Sequence, residues 1–205
     1  MSVRNIPFKK KLALKIHNRY RANEKKIHQL NYIFWECTLR CNLNCIHCGS
    51  DCMKDSSIND MPREDFFKAL DEITPIISPH KTMIVLTGGE PVLRKDISEI
   101  GAELYKRGFP WGVVSNGMGM QEPMIAKLLQ SGIRAITISL DGLEDSHNWL
   151  RGNKHSFKNA INAISILSKT EGLRYDVVTC AHQKNIAELP DLYELLLRLG
   201  LKEWR

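Results

Sequence analysis

The sequence predicts an α/β fold built on a parallel sheet, and three observations carry that prediction. Short apolar runs alternate with amphipathic helical segments from residue 31 onward, the signature of consecutive βα units. Polar and glycine-rich motifs fall at the ends of the apolar runs rather than between them. With 205 residues, 43% hydrophobic and 25% charged, the chain can hold one domain with a sizeable core and carries no compositional sign of disorder.

Taken in order, residues 1–30 stand apart. They contain nine Lys or Arg against Glu24 alone, a charge of +8, whereas residues 31–205 carry 20 basic and 22 acidic residues. The net charge of +6 therefore belongs to the N-terminal segment. Phe8, Leu12, Ile16 and Tyr20 recur every fourth residue, and Ile27 and Leu30 extend the same face, with a gap at Asn23. That spacing predicts a basic amphipathic helix within 1–30. Its expected place is the outside or bottom of the main domain, 31–205. Contact with a membrane surface or a partner is the alternative. No nucleic-acid partner is expected.

Strands are predicted at 31–37, 81–87, 110–115, 133–140 and 174–180. Pro62 suits a first helical position and Asp96 an N-cap, while Gly108, Gly132, Gly172 and Gly200 are stop signals. A sixth strand opens at 201–205, the run LKEWR. A complete eight-unit barrel needs about 250 residues, so a fragment of a longer protein is expected rather than an unusually short core. No apolar run approaches the roughly 18 residues of a membrane span, and the N-terminus lacks the pattern of a secretory signal. A cytoplasmic location is expected.

The motifs converge on one end of this sheet. The cysteine loop follows the first strand, Gly88–Glu90 the second, Ser115 and Asn116 end the third, Ser139 and Asp141 the fourth, and Thr179 the fifth. All five positions are carboxyl ends of parallel strands, the face on which such proteins assemble active sites.

Five of the six cysteines crowd into residues 37–52, which favours a metal or cluster in a reducing compartment over a disulfide framework. In the run CTLRCNLNCIHCGSDC, Cys41, Cys45 and Cys48 stand at CxxxCxxC spacing. Three thiolates on one tight loop suit a [4Fe-4S] cluster whose remaining iron keeps an open position. Zinc is the competitor, with Cys37, Cys52 or His47 as its fourth ligand.

This triplet, with TGGEP at 87–91, SNG at 115–117, SLDG at 139–142 and Arg151, resembles the radical S-adenosylmethionine (radical SAM) enzymes from residue 31 to the end of the chain. Within them it looks most like the SPASM-type and anaerobic sulfatase maturases. The resemblance implies a partial (βα)6 TIM-like barrel, incomplete at the sixth strand. It also implies a [4Fe-4S] cluster on Cys41, Cys45 and Cys48, with SAM chelating the open iron. The implied oxidoreductase reaction is reductive cleavage of SAM to a 5'-deoxyadenosyl radical that modifies a peptide or protein, fed by a low-potential flavodoxin or ferredoxin. Conventional catalytic acids and bases are not required, so none is assigned. A cluster module for electron transfer or sensing, without SAM cleavage, is the alternative.

By the same resemblance Gly88, Gly89 and Glu90 meet the methionine amine, Ser139 and Arg151 the carboxylate, Asn116 the ribose and His47 the adenine. Each has a plainer reading. The glycines make a turn, Glu90 is a surface or salt-bridge residue, Ser139 a strand-end hydroxyl, and Arg151 a solvated helix-start cation. Asn116 is equally a turn residue, and His47 a hydrogen-bond donor to sulfur or a solvated side chain. Cys37 reads as a small buried apolar residue. Cys52 has no assigned role, and His147, His155 and His182 read as surface or structural.

Overall fold

The computed structural model describes residues 7–27, 29–54 and 56–205. It divides into two compact units, 1–31 and 32–205. Within the first, helix α1 spans Phe8–Ile27. Phe8, Leu12, Ile16 and Tyr20 share a face of it, while Leu30 lies beyond its end, because the chain leaves the helix to enter the first strand. Residues 1–6 and the side chain of Ile27, which the sequence places on that face, lie outside the described residues. No described helix is long and apolar enough to cross a membrane.

The second unit is a five-stranded parallel sheet in the order β1 to β5, each strand beside its sequence neighbour. The strands are β1 (Tyr32–Thr38), β2 (Met83–Gly88), β3 (Trp111–Ser115), β4 (Ala135–Ser139) and β5 (Arg174–Val178). Parallel neighbours need crossovers. These contain α2 (Arg63–Ile73), α3 (Ile97–Lys106), α4 (Glu122–Gln130) and the pair α5 (Glu144–Arg151) and α6 (Ser156–Leu167); α7 (Leu189–Arg198) follows β5. Beyond α7, Val177 pairs in parallel with Trp204, and the Arg205 N–H bonds the Val177 carbonyl at 2.9 Å. The predicted sixth strand thus begins beside β5.

Alternation along the strands splits the sheet into two faces. Trp35, Cys37, Ile84, Leu86, Trp111, Val113, Ile136, Ile138 and Val177 point outward into a core shared with Phe66 and Leu70 of α2, Ile100 and Leu104 of α3, Leu128 of α4 and Ile164 and Leu167 of α6. Each such aliphatic side chain, removed from water, contributes about 1.5–3 kcal/mol. Trp35 and Phe66 stack at 3.8 Å with their planes 3° apart. The other face, carrying Phe34, Val85, Gly112, Val114, Thr137 and Asp176, is concave and lines a cavity of about 480 Å³.

One helix start is shifted from expectation by a residue, and another lacks the expected side-chain cap. Pro62 occupies the N-cap of α2, one position before the helix. Asp96 stands at the N-cap of α3, as expected, but its carboxylate makes no cap bond, because Arg94 takes both its oxygens at 2.8 and 2.9 Å. That guanidinium is buried and also donates to the carbonyls of Cys37 at 2.6 Å and Met61 at 3.0 Å. It ties the end of β1 to the segment that returns from the cysteine loop.

Candidate active site

The cysteine loop is shaped by backbone pairing. The Cys41 N–H bonds the Met53 carbonyl at 2.9 Å and the Met53 N–H bonds the Leu39 carbonyl at 3.2 Å, closing the loop at its base. The turn after β2 fixes the same base from the other side. The Gly89 N–H reaches the Thr38 carbonyl at 2.7 Å and the Glu90 N–H the Arg40 carbonyl at 2.9 Å. A Cβ on Gly89 would stand 2.1 Å from the Arg40 oxygen, and one on Gly88 2.3 Å from the Thr38 oxygen. The glycine pair therefore permits contact between two backbones. A third staple runs from the Ile46 N–H to the Leu150 carbonyl at 2.9 Å, next to Gly152, whose φ of 64° ends α5.

This packing gathers the strand-end motifs around a cavity of about 340 Å³. Cys41, Cys45, Cys48, His47, Gly88, Gly89, Asn116, Ser139 and Arg151 all line it. Cys41 is buried, Cys45 partly buried and Cys48 exposed. Among the described residues no three His, Cys, Asp or Glu side chains converge on a point where one metal ion would sit. The three thiols stand instead around the cavity wall, a soft donor set of the kind an iron–sulfur cluster takes. Burial pushes the Cys41 and Cys45 thiols above their ordinary range, and the Arg151 cation opposes it at Cys45.

Glu90 does not line the cavity. It is fully buried behind it, accepting from the Asn116 N–H at 2.8 Å and the Val92 N–H at 3.4 Å. Burial raises its pKa to about 7, against the pull of those N–H donors. Asn116 is a turn residue that also lines the cavity. Its side-chain oxygen caps Met118 N–H at 2.9 Å in a turn, while its amide nitrogen reaches Asn42 at 2.8 Å and the Cys41 sulfur at 3.8 Å. Among the described residues the Ser139 hydroxyl has no protein partner. His47 is exposed at the rim, where partial burial and the Arg151 cation lower its pKa.

Arg151 ends α5 rather than starting a helix, and its side chain is only 12% exposed. Its Nε donates to Asp141 Oδ2 at 2.6 Å and its Nη1 to the Cys45 sulfur at 3.8 Å. Asp141, which the sequence marks only by its place at the end of the fourth strand, is 1% exposed and is the hub of this wall. Its other oxygen accepts from the Cys180 N–H at 2.9 Å, and its own N–H donates to Nδ1 of the buried His147 at 3.0 Å. Because Nδ1 accepts, the ring proton sits on Nε2 and faces the Ser156 hydroxyl at 2.9 Å. Burial accordingly pushes the His147 pKa down to about 4. Cys52, Thr87, Thr179 and Cys180 also line the cavity. Their one signal in the sequence is position, since each lies at a strand end or on the cysteine loop. Cys52 packs against Cys41 and Leu43, and Cys37 is a buried thiol pushed up to about 12 by that burial.

The family model of the radical SAM superfamily matches residues 35–196. An Fe-coproporphyrin III synthase from Methanosarcina barkeri is 28% identical over 187 residues, covering 87% of this chain and 46% of the relative. An AdoMet-dependent heme synthase from the same organism is 28% identical over 169 residues, 82% of this chain and 47% of the relative. The chain thus spans less than half the length of these relatives. Two solved structures share the fold. They are Streptococcus suis SuiB bound to its precursor peptide SuiA (TM-score 0.70, 15% identity, 100% of this chain, 46% of that one) and anSMEcpe with bound AdoMet (TM-score 0.70, 17% identity, 84% and 50%). With a matching family model over most of its length and the fold of these structures, the chain belongs to the radical SAM superfamily, whose enzymes use a [4Fe-4S] cluster and SAM.

Proposed function

We propose that this chain is the core of a radical SAM enzyme that modifies a peptide or protein. One observation carries the cluster and SAM part of the reading: the three thiols, the Gly88–Gly89 backbone, Ser139 and Arg151 converge on one cavity at the carboxyl ends of the strands. Cys41, Cys45 and Cys48 would hold the cluster. When bound, the cluster supplies the electron that cleaves SAM to methionine and a 5'-deoxyadenosyl radical. The protein's part is to hold the sulfonium in place and keep water out.

Arg151 offers a planar fork to the methionine carboxylate, a pairing that fixes orientation as well as charge. Ser139 adds a hydroxyl on the same side. The Gly88–Gly89 segment borders the amine side, with Glu90 fixing it from behind through the Asn116 and Val92 N–H groups. Asn116 and His47 are left for the ribose and adenine. A low-potential flavodoxin or ferredoxin would deliver the electron.

The test is anaerobic incubation of reconstituted protein with a reductant and SAM, followed by chromatography for 5'-deoxyadenosine and methionine. Unchanged SAM would sink the proposal and favour a cluster module without SAM cleavage. A second substrate reading, a tetrapyrrole, is favoured by the similarity to the Fe-coproporphyrin III and heme synthases. Consumption of an added iron porphyrin, with no peptide product, would select it.

A further inference from the structure

The cavity wall that carries Arg151 contains a buried carboxylate. Asp141 is 1% exposed, and its buried oxygens meet Arg151 on one side and the Cys180 N–H on the other. Taking an ion pair out of water costs about as much as the pairing returns, so such a pair is poor evidence of stabilisation. What it provides is direction. The carboxylate engages Nε, the end of the guanidinium nearest the chain, which sets the plane of the fork and leaves Nη1 on the Cys45 sulfur at 3.8 Å. Asp141 itself is fixed by two further side chains. Its N–H is held by His147 of α5, and its carbonyl accepts from the buried Asn185 amide, which also donates to the Cys180 carbonyl at 2.8 Å.

We propose that Asp141 is a positioning residue for SAM: it aims the Arg151 guanidinium between the Cys45 thiolate and the incoming methionine carboxylate. The inference rests on the function proposed above. Asp141 touches neither cluster nor cofactor in this role and acts through Arg151. Outer partners of this kind typically weaken binding 10- to 100-fold when removed, while the ligands they orient stay in place.

The experiment uses anaerobically reconstituted full chain, with iron content and the SAM concentration that half-saturates the change in the reduced-cluster electron paramagnetic resonance spectrum as readouts. Asp141→Asn keeps the volume and loses the charge. It is expected to retain its iron and to need roughly 10-fold or more additional SAM. Arg151→Gln should show at least as large a shift, and the double variant should match Arg151→Gln alone, because both changes remove one device. Additive shifts, or a half-saturation point unchanged by Asp141→Asn, would overturn the proposal. If Asp141→Asn loses iron or fails to fold, Asp141→Glu keeps the charge and moves it by one methylene. A normal iron content with weakened SAM response supports positioning, and a wild-type response overturns it. No SAM response in the wild-type protein would defeat the proposed function itself, a different result from a wild-type response that Asp141→Asn leaves intact.

Discussion

The base of the cysteine loop is closed mainly by backbone bonds, with Arg94 as a side-chain tie, whereas the wall that carries Arg151 is held largely by side chains. Met53 bonds Cys41 and Leu39 through main-chain groups, and the Gly89 and Glu90 N–H groups bond the Thr38 and Arg40 carbonyls beside them. Ser139 and Arg151 belong to a wall whose shape depends on Asp141, His147 and Asn185, three buried polar side chains. Backbone pairing survives most substitutions, so the first wall can present thiols at a fixed spacing whatever lies between them. The second wall can be retuned one residue at a time. That division matches the roles proposed, since the cluster must be held the same way in every turnover while the cofactor enters and leaves.

The comparison can be broken most severely at the thiols. Cys45→Ala removes a proposed cluster ligand and is expected to abolish nearly all bound iron, measured by iron and sulfide content after anaerobic reconstitution, with the fold retained by circular dichroism. Retention of full iron would remove Cys45 from the ligand set. Next comes Gly89→Ala, which places a methyl 2.1 Å from the Arg40 oxygen in a contact neither backbone can yield. A loss of about 2–4 kcal/mol in denaturant unfolding and a drop in iron content are expected together. Stability without iron loss would show that the turn does not set the loop.

On the side-chain wall the effects are smaller and of another kind. Asn185→Ala leaves the buried Asp141 carbonyl, and the part-buried Cys180 carbonyl, without donors. It should cost about 1–3 kcal/mol with iron content unchanged, so urea melts and iron assays move apart. Iron loss equal to that of Gly89→Ala would erase the distinction between the walls. The subtlest effect is that of pH. His147 has a folded pKa of about 4, below its ordinary 6.5, so the unfolded chain binds more protons between those values. Its contribution is full above pH 6.5 and is lost as pH falls towards 4. Glu90, raised to about 7, works in the opposite sense over part of that range, so the clean quantity is the difference from His147→Gln. Wild-type stability should fall relative to that variant between pH 6.5 and 4, and parallel curves would show His147 to be protonated in the fold.

Much of this was legible in the sequence because it is local. The five strands lie within a few residues of their predicted spans, since each is an apolar run between turn signals. The thiol loop is written in a single stretch of sixteen residues. Asp141 was not legible as a hub because its partners lie 10 residues away at Arg151, 39 at Cys180 and 44 at Asn185, and only the meeting of β4, β5 and α5 unites them. Glu90 shows the same limit. A motif gives its neighbours, but the bond to its buried carboxylate comes from Asn116, 26 residues later, just past the end of the next strand. Arg94 binding Asp96 in place of a helix cap is a third case, because a guanidinium outcompetes backbone N–H groups for a carboxylate at that distance.

The most direct test is the electron paramagnetic resonance spectrum of the reduced, reconstituted protein with and without SAM. If the thiol wall holds a cluster and the Arg151 wall brings SAM to it, the reduced-cluster signal changes shape when SAM is added. A signal identical in the two samples would contradict the account, because a cluster would then be present with no cofactor at its open iron.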